Sequence, residues 1–270
     1  MFSLCLKQQL LSLDTPIIMG ILNITEDSFF DGGKYLSETA ALKRVEQILE
    51  EGATIVDLGA VSTKPNAIGI SENQEFETVY KYLKLIVSHF PEVHISVDTF
   101  RSKVADMAIK EGAAMINDVT GGADESMFHV IGKNNIPYVL THNNHNNPLQ
   151  TKELIPNILS FFGDNIEKLI SSGVKDIIID PGFGFGKTLE QNYYLLRQLK
   201  TFSMINYPVL VGISRKSMIQ KVLGVTSSET LCGTVALNLF SLFQGANILR
   251  VHDVKQCAEC IKLFNLIYSQ

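Results

Sequence analysis

Eight short apolar runs alternate with longer amphipathic stretches along the whole chain, and this alternation is the strongest constraint on the fold. Runs rich in β-branched residues, each followed by a helical pattern, are typical of parallel β/α units. Eight such units in 270 residues predict an α/β fold with a single (β/α)8 barrel, a TIM barrel, over residues 1–270. A doubly wound open sheet is the second interpretation. The runs span residues 16–24, 54–60, 93–99, 114–119, 137–142, 176–182, 208–214 and 246–252.

Every one of these runs carries a polar residue at its C-terminal end. In a barrel of parallel strands, that end is the face where ligands bind. Eight buried polar side chains would each need a separate partner in a core, so a shared pocket explains them better. The residues are Asn23, Asp57, Asp98, Asn117, His142, Asp180, Ser214 and His252.

Bulk composition excludes several classes of function. The formal net charge is −5, which disfavours a general nucleic-acid or membrane-surface role. No apolar run is long enough to span a bilayer and no signal peptide is evident, so we expect a cytoplasmic protein.

Cys257 and Cys260 form a C-x-x-C inside a helical pattern, and without a second ligand cluster we interpret them as core thiols rather than a zinc site.

Asp98, Asn117 and Asp180 end the third, fourth and sixth predicted strands. Two acceptor carboxylates and a carboxamide suit a flat heterocycle with an amidine- or guanidine-like edge. Divalent-metal ligation is the alternative, because strand-end carboxylates often bind such ions.

Basic residues gather after the last two predicted strands. Arg215 and Lys216 lie in "GISRKS", directly before a helix, and Arg250 and His252 alternate in "RVHD". The loops after strands seven and eight are the usual phosphate site of a barrel, and a helix N-terminus adds backbone N–H donors. These residues together predict an anion site, and the loop of residues 23–35 is predicted to close over the ligand.

The glycine-rich stretch "IDPGFGFGKT" ends the sixth predicted strand and matches no phosphate-binding motif. Pro181 stands where the first glycine of a P-loop would fall, and Lys187 where a dinucleotide fingerprint has its third glycine. We therefore expect phosphates to bind elsewhere, and we expect Lys187 to lie at the rim as a solvated side chain.

Seven motifs, in this order, resemble dihydropteroate synthase over nearly the whole chain: "MGILNITEDSFFDGG", "GAVSTKPNA", "SVDT", "INDV", "IDPGFGFGK", "GISRKSMI" and "RVHDV". The resemblance implies condensation of 6-hydroxymethyl-7,8-dihydropterin pyrophosphate with p-aminobenzoate to 7,8-dihydropteroate and pyrophosphate, in folate biosynthesis. It further implies a homodimer through C-terminal helices, Mg²⁺ as cofactor, and a dissociative route. Small molecules would be its partners, with no nucleic acid and no membrane.

The resemblance also assigns roles to residues that match the motifs. The pterin would be held by Asp98, Asn117, Asp180, Gly212 and Lys216. Pyrophosphate would contact Asn23, Ser214, Arg250 and His252, with Asn23 facing the Mg²⁺ ion. The p-aminobenzoate pocket would be bordered by Phe29, Ser62, Thr63, Pro65, Phe185, Lys216 and Ser217. The catalytic set would be Asp31, Asp98, Asp180 and Lys216, with Phe29 and Asp31 helping to close the site.

Some positions depart from the usual family pattern. Glu26 replaces a proline, Val61, Lys64 and Asn66 alter the second loop, and Thr141 replaces a methionine that flanks the pterin. These changes put the shape of the p-aminobenzoate pocket, and with it sulfonamide sensitivity, in question. Two alternatives stay open: a methyltetrahydrofolate-binding domain of a corrinoid methyltransferase, and a pterin-binding relative that has lost turnover.

Overall fold

The computed structural model describes residues 2–24, 37–61, 70–144 and 149–268. Within them, a short N-terminal hairpin precedes eight strands that pair in parallel in one sheet. All eight predicted apolar runs form these strands, each trimmed by one or more residues at its ends. In chain order the strands are Ser3–Leu6 (β1), Gln9–Ser12 (β2), Ile17–Asn23 (β3), Ile55–Gly59 (β4), His94–Asp98 (β5), Met115–Asp118 (β6), Tyr138–Thr141 (β7), Ile177–Asp180 (β8), Leu210–Val211 (β9) and Ile248–Val251 (β10).

A layer of helices surrounds the sheet, as predicted. Ser37 caps the first helix and Ser71 forms a capping box at the second, where the polar residue accepts from an otherwise unpaired N–H. The helices are Glu38–Glu50 (α1), Glu72–His89 (α2), Ser102–Lys110 (α3), Met127–Asn134 (α4), Thr151–Ser171 (α5), Leu189–Arg197 (α6), Ser217–Leu223 (α7), Leu231–Phe243 (α8) and Val254–Tyr268 (α9). None of these helices is both long and apolar enough to cross a membrane.

The sheet closes into a barrel, so the open-sheet interpretation is wrong. The strand order runs β8-β7-β6-β5-β4-β3-β10-β9. The two end strands then meet through a parallel bridge between Ile179 and Val209, with the Ile179 amide donating to the Pro208 carbonyl at 3.0 Å. β9 is only two residues long, so this seam is the shortest pairing in the barrel.

Side-chain alternation divides the barrel interior into a lower apolar layer and an upper polar layer. Successive residues of a strand point to opposite faces, so Val139 and Thr141 share the inner face of β7. Val139 packs in the lower apolar cluster with Met115 and Ile178. One step further along the same strands, the inner face carries Asn117, Thr141 and Asp180, and the pocket begins there.

The hairpin of β1 and β2, which the sequence patterns did not predict, supplies the base of that lower layer. Leu4 and Leu6 point from one face of β1 and are about 1% and 0% exposed. Both belong to the interior cluster with Ile17, Ile178 and Ile248. The hairpin therefore fills the end of the barrel opposite the pocket.

One predicted helix is interrupted in the structure. After the sixth apolar run the sequence has a helical pattern over residues 189–202, but the helix ends at Arg197 and the chain continues as a 3-10 turn over Leu199–Ile205. The turn ends at Asn206, which has a left-handed backbone, a conformation that asparagine tolerates well. Cys257 and Cys260 are buried on α9 as free thiols, as expected.

Candidate functional site

A partly buried arginine, with 18% of its side chain exposed, joins two strand-end carboxylates in the upper layer of the barrel. Arg250 Nε donates to Asp57 Oδ2 at 2.6 Å, and Arg250 Nη2 donates to Asp98 Oδ2 at 2.7 Å. The same Asp57 oxygen accepts from Asn117 Nδ2 at 3.1 Å. Asp57, which is fully buried, thus holds both Arg250 and Asn117 in place.

The charges in this cluster depend on one another. Burial opposes the charge of Arg250, but Asp57 and Asp98 outweigh it and raise the pKa of Arg250 above its ordinary value. Burial raises the pKa of Asp98, and the Arg250 guanidinium opposes that rise. The arginine therefore stays charged, and it keeps Asp98 ionisable inside the barrel.

The orientation of Asn117 follows from this pairing. Because the Asn117 Nδ2 donates to Asp57, the Asn117 Oδ1 remains available as an acceptor. That oxygen is buried and has no hydrogen-bond partner among the described residues. Asn117 therefore presents an acceptor to a ligand, as suits a ring edge that donates N–H groups.

Asp180 and Lys216 both contact the glycine-rich loop of residues 181–186 and influence each other's charge. Asp180 Oδ1 accepts from the Gly182 amide at 2.8 Å, and the Lys216 ammonium donates to the Phe183 carbonyl. Burial raises the pKa of Asp180, and Lys216 opposes the rise. Burial lowers the pKa of Lys216 to about 8. The Lys216 nitrogen also lies 4.6 Å from the centroid of the Phe185 ring, a cation–π contact.

Lys187 is not a solvated side chain at the rim, so that prediction is wrong. Its ammonium donates to the carbonyls of Gly182, His142 and Phe185 at 2.8, 3.1 and 3.3 Å. It also lies 3.1 Å from His142 Nδ1. Burial lowers the pKa of Lys187 to about 7. Lys187 thus ties the loop after β8 to the residues after β7.

His142 does not line the pocket, in contrast to the prediction that all eight strand-end residues share it. Thr141 occupies the inner face of β7, so the next residue points outward toward α5. There His142 Nε2 lies 3.0 Å from Asn157 Oδ1, and its ring packs edge-on against Phe161. Burial lowers the pKa of His142 to about 4, with Lys187 adding to the effect.

The anion site predicted after β9 and β10 is smaller than expected, because Arg215 is already paired. Its Nε and Nη2 donate to Asp253 at 3.0 and 2.5 Å. Of the basic residues predicted for this site, Lys216, Arg250 and His252 remain near the upper layer.

Ser214 and His252 hold each other across β9 and β10. Ser214 Oγ accepts from the His252 amide at 3.2 Å and lies 3.1 Å from His252 Nδ1. Burial lowers the pKa of His252 to about 3, with Arg215 and Arg250 adding to the effect. A neutral His252 whose Nδ1 accepts from Ser214 carries its proton on Nε2, which makes it a donor.

Three more predicted residues lie around the upper layer. Asn23 is exposed at the end of β3. Gly212 lies against Arg250, because a Cβ added there would stand 3.7 Å from the Arg250 Cβ. Ser217 is exposed at the start of α7.

Metal ligation by the strand-end carboxylates is not supported. In residues 2–24, 37–61, 70–144 and 149–268, no three His, Cys, Asp or Glu side chains are arranged to hold an ion. Asp57 and Asp98 are instead bound by Arg250.

The remaining predicted residues lie outside the part of the chain that the structure describes. They are Phe29, Asp31, Ser62, Thr63 and Pro65, together with the divergent positions Glu26, Lys64 and Asn66.

Sequence reasoning gave no role to two residues of the upper layer. Asp57 appeared only as one strand-end residue among eight, and Thr141 only as a departure from a motif. The available signal was strand alternation: both lie two residues beyond an apolar residue of the lower layer, Ile55 and Val139 respectively.

Known proteins resemble this chain both in sequence and in structure. Residues 19–252 match the family model described as pterin binding enzyme. Dihydropteroate synthase of Bacillus subtilis is 40% identical over 264 residues, covering 95% of this chain and 90% of that protein. The crystal structure of dihydropteroate synthase from Clostridium difficile in the presence of pteroic acid has a TM-score of 0.91 and 36% identity, covering 100% of both chains. That of the Thermus thermophilus enzyme in complex with 4-aminobenzoate has a TM-score of 0.88 and 34% identity, covering 99% of this chain and 100% of that one.

Proposed function

The chain belongs to the dihydropteroate synthases, and we propose that it joins 6-hydroxymethyl-7,8-dihydropterin pyrophosphate to p-aminobenzoate, releasing pyrophosphate. The observation that carries the proposal is the upper layer of the barrel, where buried acceptors of Asn117 and Asp180 lie with the cations of Lys216 and Arg250. A flat ring with N–H donors on one edge and an anionic substituent on the other would pair its donors with these acceptors and its anion with these cations.

The pterin ring is proposed to bind against Asp180 and Asn117. A carboxylate accepts two N–H groups of a guanidine-like edge, and the free Asn117 Oδ1 accepts another. Lys216 would donate to an acceptor of the ring, and Gly212 would leave room for it beside Arg250.

The pyrophosphate is proposed to bind toward β10, where His252 Nε2 and the remaining N–H groups of Arg250 serve as donors. Ser214 would support this arrangement by donating its hydroxyl proton to His252 Nδ1, 3.1 Å away, which leaves the imidazole proton on Nε2. Neutral donors and a guanidinium stabilise charge that develops on a leaving oxygen.

Mg²⁺ is proposed to accompany the pyrophosphate at Asn23. Asn23 Oδ1 lies beside Gly59 at the end of β4. The Asp98 carboxylate lies beside the same glycine, but its Oδ2 is bound by Arg250, which leaves Asn23 as the proposed ligand. This fits Mg²⁺, which commonly takes few protein ligands together with substrate phosphates. When bound, it would neutralise charge on the departing pyrophosphate.

The reaction is proposed to be dissociative. The C–O bond to pyrophosphate breaks first, and its electron pair leaves with the pyrophosphate. The carboxylates of Asp98 and Asp180 would stabilise the resulting pterinylmethyl cation, with Asp31 proposed to join them. The arylamine nitrogen then forms the new C–N bond and loses its proton to solvent.

The p-aminobenzoate is proposed to bind over Phe185. The Phe185 ring and the Lys216 ammonium already form one wall, 4.6 Å apart, and Ser217 lies exposed beside it at the start of α7. Phe29, Ser62, Thr63 and Pro65 complete the proposed pocket.

A homodimer is proposed to form through α8 and α9, which pack against each other near the C-terminus. Their outer face leaves several large apolar residues exposed, a feature typical of an interaction surface. These are Phe240, Phe243, Leu263, Leu266, Ile267 and Tyr268.

One coupled assay tests the function. The protein is mixed with the pterin pyrophosphate, Mg²⁺ and p-aminobenzoate, and both pyrophosphate and dihydropteroate are measured. We expect equal amounts of the two products, with at least a hundredfold lower turnover for Asp180→Asn, because its carboxylate reads the ring and stabilises the cation.

The same assay separates the alternatives. Pterin binding without release of pyrophosphate would indicate a relative that has lost turnover. Methyl transfer from methyltetrahydrofolate to a corrinoid, with no pyrophosphate released, would indicate a methyltransferase domain. Either result would overturn the proposed function.

A further inference from the structure

A threonine hydroxyl lies unpartnered in the upper layer, directly beside Asp180. Thr141 is fully buried, and its Oγ1 has no hydrogen-bond partner in the described parts of the chain. A buried hydroxyl without a partner is costly, so such a group calls for a physical explanation.

The position of Thr141 on its strand directs the side chain into the pocket. It shares the inner face of β7 with Val139, which packs in the lower layer. In the register between β7 and β8, Thr141 pairs with Asp180, just as Val139 pairs with Ile178. Adjacent strands lie about 4.8 Å apart, so the hydroxyl and the carboxylate face the same ligand edge.

We propose that Thr141 is a ligand-binding residue that donates its hydroxyl proton to the ring acceptor next to the N–H groups read by Asp180. The proposal rests on the proposed function, since the ring is that of the pterin. A carboxylate can only accept, and the edge of such a ring alternates donors with acceptors. A hydroxyl beside the carboxylate supplies the donor that Asp180 lacks, which makes Thr141 a determinant of which ring binds.

The test is binding of 6-hydroxymethylpterin to wild type and Thr141→Val, measured by isothermal titration calorimetry. Valine has nearly the same shape and lacks the hydroxyl. We expect pterin affinity to fall roughly tenfold, the usual loss when a ligand acceptor is left without its donor. The melting temperature of the unliganded variant should equal or exceed that of wild type, because the substitution removes an unpaired polar group.

Two further variants make the result specific. Thr141→Ser keeps the hydroxyl and should bind the pterin within about threefold of wild type. Ser96→Ala removes another buried, unpartnered hydroxyl that lies opposite Asp57 and Met115 in the register, one step deeper than Asp98. It should leave pterin affinity unchanged.

Equal affinity of Thr141→Val and wild type would overturn this proposal and leave the proposed function standing. A similar loss of affinity in Ser96→Ala would also overturn it, because any lost interior hydroxyl would then have the same effect. If wild type does not bind the pterin at all, both proposals fail.

Discussion

At the scale of single residues, two lysines donate to the same glycine-rich loop. Lys187 donates to the carbonyls of Gly182 and Phe185, and Lys216 donates to that of Phe183. Ammonium groups with several carbonyl acceptors hold a loop rigidly, and both lysines have lowered pKa values because they are buried. The carbonyls of this loop are therefore occupied by lysine ammonium groups, while its Gly182 and Gly184 amides are taken by Asp180 and Asn192.

The lowered pKa of Lys216 predicts a pH dependence of pterin binding. The ammonium is fully protonated well below its pKa of about 8, and it loses the proton as pH rises through that value. The contribution of Lys216 to pterin affinity should therefore be constant below about pH 7 and fall above about pH 8, approaching tenfold per unit. Calorimetric titration of 6-hydroxymethylpterin from about pH 6 to about pH 9.5 measures this fall.

Lys216→Arg provides the matched control, because a guanidinium does not lose its proton in this range. Ionisation of the pterin itself affects both proteins equally. Parallel profiles for wild type and Lys216→Arg would show that Lys216 is not the titrating group.

Gly182 should be intolerant of any side chain. Its φ is +74°, and a Cβ added there would stand 1.9 Å from the His142 carbonyl oxygen. Gly182→Ala must therefore displace the loop that carries Phe185, and we expect a loss of roughly 3 kcal/mol or more in the free energy of unfolding. Urea unfolding measures that loss, and we also expect a higher KM for p-aminobenzoate.

Gly224→Ala is the control for Gly182→Ala, because it introduces the same left-handed backbone strain without a steric clash. Gly224 has φ +66°, with nothing within 4 Å of an added Cβ. This variant should lose only about 1 kcal/mol, the cost of a left-handed alanine. Similar losses for the two variants would mean that the clash with His142 is relieved at no cost.

At the scale of elements, the N-terminal hairpin contributes stability at the end of the barrel away from the site. Leu4 of β1 is about 1% exposed and packs in the interior cluster, whereas Leu10 of β2 is 77% exposed. Leu4→Ala should lower the free energy of unfolding by about 2–5 kcal/mol, because it leaves a cavity in the lower layer. Chemical denaturation measures the change.

Leu10→Ala is the control on the same hairpin and should change that free energy by less than about 0.5 kcal/mol. Both variants should have the same KM as wild type for each substrate, because the lower apolar layer separates the hairpin from the upper polar layer where the substrates bind. An undiminished stability of Leu4→Ala would mean that the hairpin does not support the barrel.

At the scale of the whole molecule, the apolar face of α8 and α9 predicts self-association. Leu266 is 79% exposed and Leu263 60% exposed, beside the packed rings of Phe243, Phe264 and Tyr268. Leu266→Glu should shift a dimer to monomer in sedimentation-velocity runs at micromolar concentration, because a buried unpaired charge at an interface is costly.

Leu10→Glu places the same charge on a leucine of similar exposure in the N-terminal hairpin, an element other than α8 and α9, and it should leave the dimer intact. Sedimentation of wild type as a monomer would contradict the proposed dimer, and dissociation by both substitutions would show that this face is not its site.

Much of the architecture follows from the sequence alone. Eight apolar runs, each followed by a helical pattern, determined the strands, the helices and the end of the barrel that carries polar residues. The reason is local: side-chain periodicity and the polar ends of parallel strands can be read within about ten residues. The hairpin was missed because no helical pattern follows either of its strands, so it lacks the strand-then-helix alternation by which the other strands were recognised.

Only the tertiary structure decided which side chains enter the pocket and which partners they take. Alternation along a strand shows which residues share a face, but not which face points into the barrel. On β7 the structure shows that Thr141 points into the pocket and that His142 does not. Arg250 meets Asp57 and Asp98 across 193 and 152 residues of chain, while Arg215 is taken by Asp253. A charged side chain in the sequence has many possible partners, and burial in a closed barrel selects the ones within reach.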